Sequence, residues 1–182
     1  MAGGGVNIET GGKTTISASA FFNNISTSTV ASGGGAIHAY DSIVLNHCYF
    51  KANTAGLLGG AVFIIFNTGT AIISNSIFTG NTAKYGGAIS LGGASGSSLR
   101  NCTIAGNYAT TWGGGLYCAG QSINNCIIWN NDAVAAGDGI YGTGNTVLYS
   151  IIQDGHAGAG NLNVDPLFIS PQTANAAPTT SG

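Results

Sequence analysis

A fifteen-residue phrase, repeated with small changes, constrains this chain more than any other feature. From Cys102 to Leu116 it reads CTIAGNYATTWGGGL. A small residue (Cys102) leads to an apolar one (Ile104), an asparagine (Asn107), an alanine (Ala109), a glycine run and an apolar residue (Leu116). The same order recurs as Cys48, Phe50, Asn53, Ala55, Gly59, Gly60 and Val62, and again from Ser76 to Ile89 and from Cys126 to Ile140. A weaker copy opens with Ser19, Phe21 and Asn24, and a last one (Ser150, Ile152, Gly155) lacks the asparagine.

The asparagines stand at 24, 53, 81, 107 and 131, so the steps are 29, 28, 26 and 24 residues. This period is too short, and too rich in glycine and β-branched residues, for helix-pair repeats. It suits one coil of a parallel β-solenoid. Six copies predict about six coils and, at about 4.8 Å per coil, a rod roughly 25–30 Å long. Composition agrees. Only 5% of the 182 residues are charged and 31 are glycine, as coils of strand and tight turn with a Ser, Thr and Asn surface would require. A disordered chain would show the opposite balance.

Three columns are expected to point inward. Ile16, Leu45, Ile73, Leu99, Ile123 and Val147 form the first, and Phe21, Phe50, Phe78, Ile104, Ile128 and Ile152 the second. The third is Val6, Ile37, Val62, Ile89, Leu116 and Ile140. The Ser/Cys column lies two residues before the Phe/Ile column, hence on the same strand face. Cys48, Cys102 and Cys126 therefore read as small buried fillers. Adjacent coils place Cys102 and Cys126 about 5 Å apart, which permits a disulfide without requiring one. Asn24, Asn53, Asn81, Asn107 and Asn131 follow a strand where the chain must bend. They are expected to tolerate left-handed geometry and to stack as an asparagine ladder. The glycine pairs permit positive φ and close approach of backbones.

Connections after the third column vary, with steps of 8, 11, 10, 7 and 7 residues. The longer ones pass through turns such as Asn67-Thr68-Gly69 and Gly92 to Gly96, so one edge of the rod tolerates insertions and is the expected place for recognition. We expect the solenoid to occupy residues 1–160 and residues 161–182 to form an extended segment leading out of it. No amphipathic cap precedes Gly3, so the ends are expected to be covered by other domains or by copies of the same chain.

Several function classes are excluded or disfavoured. Four basic residues spread over the chain make no nucleic-acid footprint. No apolar run reaches the length of a membrane span, and Met1-Ala-Gly-Gly-Gly has neither part of a signal peptide. There is no Cys-x-x-Cys pair, and no cofactor or metal is expected. Thr68, Thr70, Thr103 and Thr110 share no column, against an ice-binding face. The six acids are Glu9, Asp41, Asp132, Asp138, Asp154 and Asp165. None are paired at i and i+2, the arrangement that would build a hydrolytic acid pair into one strand. Asp132, Asp138 and Asp154, with His156, are weak candidates for a calcium or sugar site and read first as solvated turn residues. His38 and His47 read as surface polar residues. Phe63, Tyr117 and Tyr141 share an outward column with Asn7, His38 and Ser90, and Tyr85 and Trp112 precede glycine runs on neighbouring coils. Phe63, Trp112, Tyr117 and Tyr141 are the candidate ligand contacts, for glycans or protein.

The Gly-Gly-Ala-Ile phrases (Gly34 to Ile37, Gly86 to Ile89) and Phe-x-x-Asn phrases (Phe50 to Asn53, Phe78 to Asn81) resemble the repeats of chlamydial polymorphic outer-membrane proteins. The wider pattern, ending in Val164-Asp165-Pro166-Leu167-Phe168, is similar to right-handed parallel β-helix proteins of bacterial surfaces. The resemblance covers roughly residues 3 to 170. It implies an all-β, right-handed parallel β-helix and an extracellular or cell-surface location. The expected function is a non-enzymatic structural or adhesive module within a larger secreted protein or assembly. The alternative is a carbohydrate-binding or polysaccharide-cleaving β-helix domain.

Overall fold

The computed structural model describes residues 4–29, 33–65, 70–92 and 96–170. The insertion turns at 67–69 and 93–95, with Thr68, and the tail after Ser170 lie outside them. Among the described residues, twenty-three short strands wind through four parallel sheets, here A to D in the order the chain visits them. Sheets A, B and C hold six strands each and sheet D holds five. The chain therefore completes five rounds and a sixth of three strands, as the repeat predicts.

All three inward columns pair in the expected register. Sheet A aligns Val6, Ile37, Val62, Ile89, Leu116 and Ile140. Sheet B aligns Ile16 through Val147, and sheet C aligns Phe21 through Ile152. The rings of Phe21, Phe50 and Phe78 stack at 4.8 and 4.7 Å, within 5° of parallel. One continuous apolar core results. Burying each of these side chains contributes about 1.5–3 kcal/mol.

The asparagines bridge the coils. Asn81 Oδ1 accepts hydrogen bonds from Asn53 backbone N (2.9 Å) and Asn53 Nδ2 (2.9 Å). Asn81 in turn donates from backbone N and Nδ2 to Asn107 Oδ1, both at 2.9 Å, and from Nδ2 to Phe50 O. The same pattern links Asn24 to Asn53 and Asn107 to Asn131. One expectation is corrected here. The ladder asparagines do not carry the left-handed backbone. The residue before each does: Asn23, Ala52, Gly80, Gly106 and Asn130, at φ between 54° and 66°. That residue turns the corner, which leaves the asparagine free to aim its amide into the interior. A second left-handed column, Ala18, His47, Asn75, Asn101, Asn125 and Tyr149, turns the chain from sheet B into sheet C. No role was read from sequence for its three asparagines.

The glycine pairs divide the work as expected. Gly86 has φ +67°, and a Cβ on Gly87 would stand 2.2 Å from Gly114 O on the next coil. The four cysteines are buried and free. Burial pushes the Cys118 thiol up to about 12. Cys126 is raised by its hydrogen bond with Cys102 and then by burial, and the same hydrogen bond lowers Cys102, so Cys118 and Cys126 stay protonated.

Ladder pairing runs to Leu162, two residues past the boundary expected at 160. Ile152 N donates to Leu162 O, Leu162 N donates to Ser150 O, and Asn161 Oδ1 accepts from Ser150 N. Beyond Pro166 the chain returns along the flank. Phe168 sits beside Tyr49, Ile77, Thr79, Thr103 and Ala105 on the outer face of sheet C.

Phe78 is fully buried between Phe50 and Ile104. Phe78→Ala is expected to destabilise the fold by about 3–5 kcal/mol through the cavity it leaves. Urea denaturation of the two proteins measures this directly. A change below about 1 kcal/mol would be incompatible with a closely packed ladder.

Candidate functional site

The outward column of sheet A aligns as expected: Asn7, His38, Phe63, Ser90, Tyr117 and Tyr141. Its exposure differs from expectation. Phe63 is 2% exposed and His38 and Ser90 are buried, so Phe63 is not a solvent-facing contact and His38 is not a surface residue. These side chains point away from the solenoid core yet cover one another. His38 stacks on Phe63 at 5.1 Å and 8°, with the Tyr40 ring 4.4 Å away on a tilt. A Cβ added at Gly92 would stand 3.8 Å from the Phe63 ring. His47, by contrast, is exposed.

Trp112, Tyr117 and Tyr141 do meet, and Tyr85 joins them. Tyr85 lies 5.3 Å from Trp112 and 5.6 Å from Tyr117. Tyr141 stacks within 6° of both Trp112 (5.2 Å) and Tyr117 (5.7 Å). The four rings close a circuit at the corner where sheet D leads into sheet A. Local structure makes this possible. The strand Tyr108–Trp112 carries one extra residue opposite Ala83 to Tyr85, a bulge that re-aims the side chains at its end. The glycine run that follows turns the chain at once into sheet A, where Tyr117 stands one coil before Tyr141. All four rings are half-buried. Lys84 Nζ lies 5.3 Å from the Tyr85 ring centroid, in cation–π range. Tyr117 and Tyr141 also form one wall of a pocket of about 690 Å³, completed in part by Gly92, Ala119, Gly142 and Thr143.

The acids are distributed otherwise. Asp41 accepts from the backbone N of Gly11, Gly12 and Ser42. These bonds, led by Gly11, hold its carboxyl below the ordinary carboxylate range. Asp138 Oδ1 accepts from Ala133 N at 3.1 Å, and Asp165 Oδ1 from Leu167 N at 2.8 Å. Asp138, Asp154 and His156 line a second pocket of about 350 Å³ near the last coil, but Asp132 does not. Among the described residues no three His, Cys, Asp or Glu side chains are grouped to hold a metal. The weak candidates Asp132, Asp138 and Asp154 are therefore not brought together as a cation site. Backbone amides at turns are the partners that Asp41, Asp138 and Asp165 have found.

A family model described as a right handed beta helix region matches residues 1–152. Neither the curated proteins nor the solved structures searched yield a match. Among the described residues, no helix is long and apolar enough to cross a membrane.

Burial holds the His38 imidazole below its ordinary value, outweighing the opposing pull of Glu9, and neither ring nitrogen has a hydrogen-bond partner. Because the folded state resists protonation, this residue's contribution to stability is complete above the unfolded value of about 6.5 and declines as pH falls through it. Chemical denaturation between about pH 7.5 and 5 should therefore show stability decreasing with acid, and His38→Phe should flatten that slope. An unchanged slope in the variant would remove His38 as its source.

Proposed function

The chain belongs to the right-handed β-helix family, and on that premise we propose that it is a non-enzymatic structural and adhesive module working outside the cell or at a bacterial cell surface. The family includes both structural and polysaccharide-active members, so the choice rests on the side chains. The carrying observation is the chemistry concentrated at the surface. Four half-buried aromatic rings come together over adjoining coils, with no carboxylate or arginine among them. Half-buried aromatic clusters are suited to holding a partner, because each ring offers large contact area at small entropic cost. The partner surfaces this fits are another domain, a second copy of the chain, or a glycan. The resemblance of the Gly-Gly-Ala-Ile and Phe-x-x-Asn phrases to surface-protein repeats supports the same reading.

A polysaccharide-cleaving reading is favoured by one observation, the placement of Asp138, Asp154 and His156 around a single pocket. The backbone bond already made by Asp138 weighs against its use as an acid or base. The test is to incubate the purified chain with neutral and acidic polysaccharides, with and without calcium, and to assay new reducing ends and unsaturated products. The expected result is none above background. Product formation that disappears in Asp138→Asn or Asp154→Asn would overturn the non-enzymatic reading.

A further inference from the structure

We infer that the aromatic corner and its adjoining pocket bind a neutral, hydroxyl-rich glycan, with a pyranose ring stacked on Tyr141. The inference rests on the adhesive reading above and names the ligand of that surface. Three observations lead to it.

The first is the direction of the stack. Tyr141 lies against Trp112, at the end of the fourth round of the chain, and Tyr117, at the start of the fifth. Ile140–Tyr141 is the terminal strand of sheet A among the described residues. Both partners come from earlier rounds and so lie on one side of Tyr141, and among the described residues no ring stacks on its other side. The covered side fixes the ring's orientation, so little rotamer freedom remains to be lost when a ligand binds.

The second is charge. The pocket beside Tyr117 and Tyr141 has no charged residue in its walls. The nearby ammonium, Lys84, is held over the Tyr85 ring at the other side of the cluster. An acidic sugar would find no cation in the pocket, and a cationic ligand would find no carboxylate. A neutral ligand requires no charged partner there.

The third is the mixture of surfaces. Aromatic faces stand next to the Thr143 hydroxyl and the backbone of Gly92, Ala119 and Gly142. A pyranose has the matching duality, with a face of C–H groups for the ring and a rim of hydroxyls for hydrogen bonds. The volume of about 690 Å³ falls within the range of small-ligand sites.

The experiment is isothermal titration of the intact chain with neutral hexasaccharides (glucan, mannan and N-acetylglucosamine chains) and with hexagalacturonate. At least one neutral chain should bind, and Tyr141→Ala should weaken it about tenfold, the scale of one lost stacking contact. Thr143→Val, which leaves the rings in place, should also weaken it. Trp129→Ala, on the separate outer face of sheet C, should not. Circular dichroism melts confirm that the variants fold. If Tyr141→Ala is unstable, Thr143→Val carries the test alone. Absence of binding by every neutral chain at about 10 mM, unchanged affinity in the variants, or preference for hexagalacturonate would overturn the inference. Cleavage of the oligosaccharide during titration would instead overturn the non-enzymatic reading, so the two failures are separable.

Discussion

Each coil is held to the next by hydrogen bonds that run along the rod, and the asparagine ladder is where that dependence is greatest. At Asn53, Asn81 and Asn107 both the side-chain amide and the backbone N–H donate to the asparagine oxygen of the following coil. The three residues are fully buried. Each bond adds only about 0.5–1.5 kcal/mol net, but a buried group left without its partner costs about 1–3 kcal/mol. The ladder is therefore most consequential as a demand for register. A coil displaced by one residue would orphan several buried polar groups and turn its apolar columns outward at the same time. Polar and apolar interactions select the same alignment.

That alignment also generates the surface. Because the coils stack in register, any residue type repeated outside the core becomes a row. Tyr117 stands over Tyr141 for the same reason that Leu116 stands over Ile140. The aromatic corner thus requires no separate architecture beyond a bulge before Trp112 and the glycine turn after it. The outward rows and the inward columns are alternate residues of the same strands.

Much of this was legible in the sequence because a repeat is its own alignment. Comparing Cys48–Val62 with Ser76–Ile89 identifies columns, and columns in a solenoid are contacts. The three inward columns, the ladder and the alignment of Tyr117 with Tyr141 follow from that comparison, whereas the contacts of Trp112 and Tyr85 with them do not. What escaped it depends on contacts between columns. The left-handed position was assigned one residue late, since Asn23, Ala52, Gly80, Gly106 and Asn130 share no single side-chain type and the invariant-looking asparagine next to them drew the inference. Outward direction was equated with exposure at Phe63 and His38, whereas Tyr40 and the His38–Phe63 stack remove both from solvent. The return of Phe168 to sheet C is a long-range contact outside the repeat, and no periodicity reports it.

Amide hydrogen exchange on the native chain tests the central claim most directly, because it reads the ladder bonds one by one. The backbone N–H groups of Asn53, Asn81 and Asn107 lie at corners between strands, where amides ordinarily exchange fast. If they donate to buried asparagine oxygens of the next coil, they should exchange as slowly as the strand amides of Phe78 and Ile104. Exchange as fast as that of the exposed bend residue Gly144 would contradict the ladder as the element that holds the coils in register.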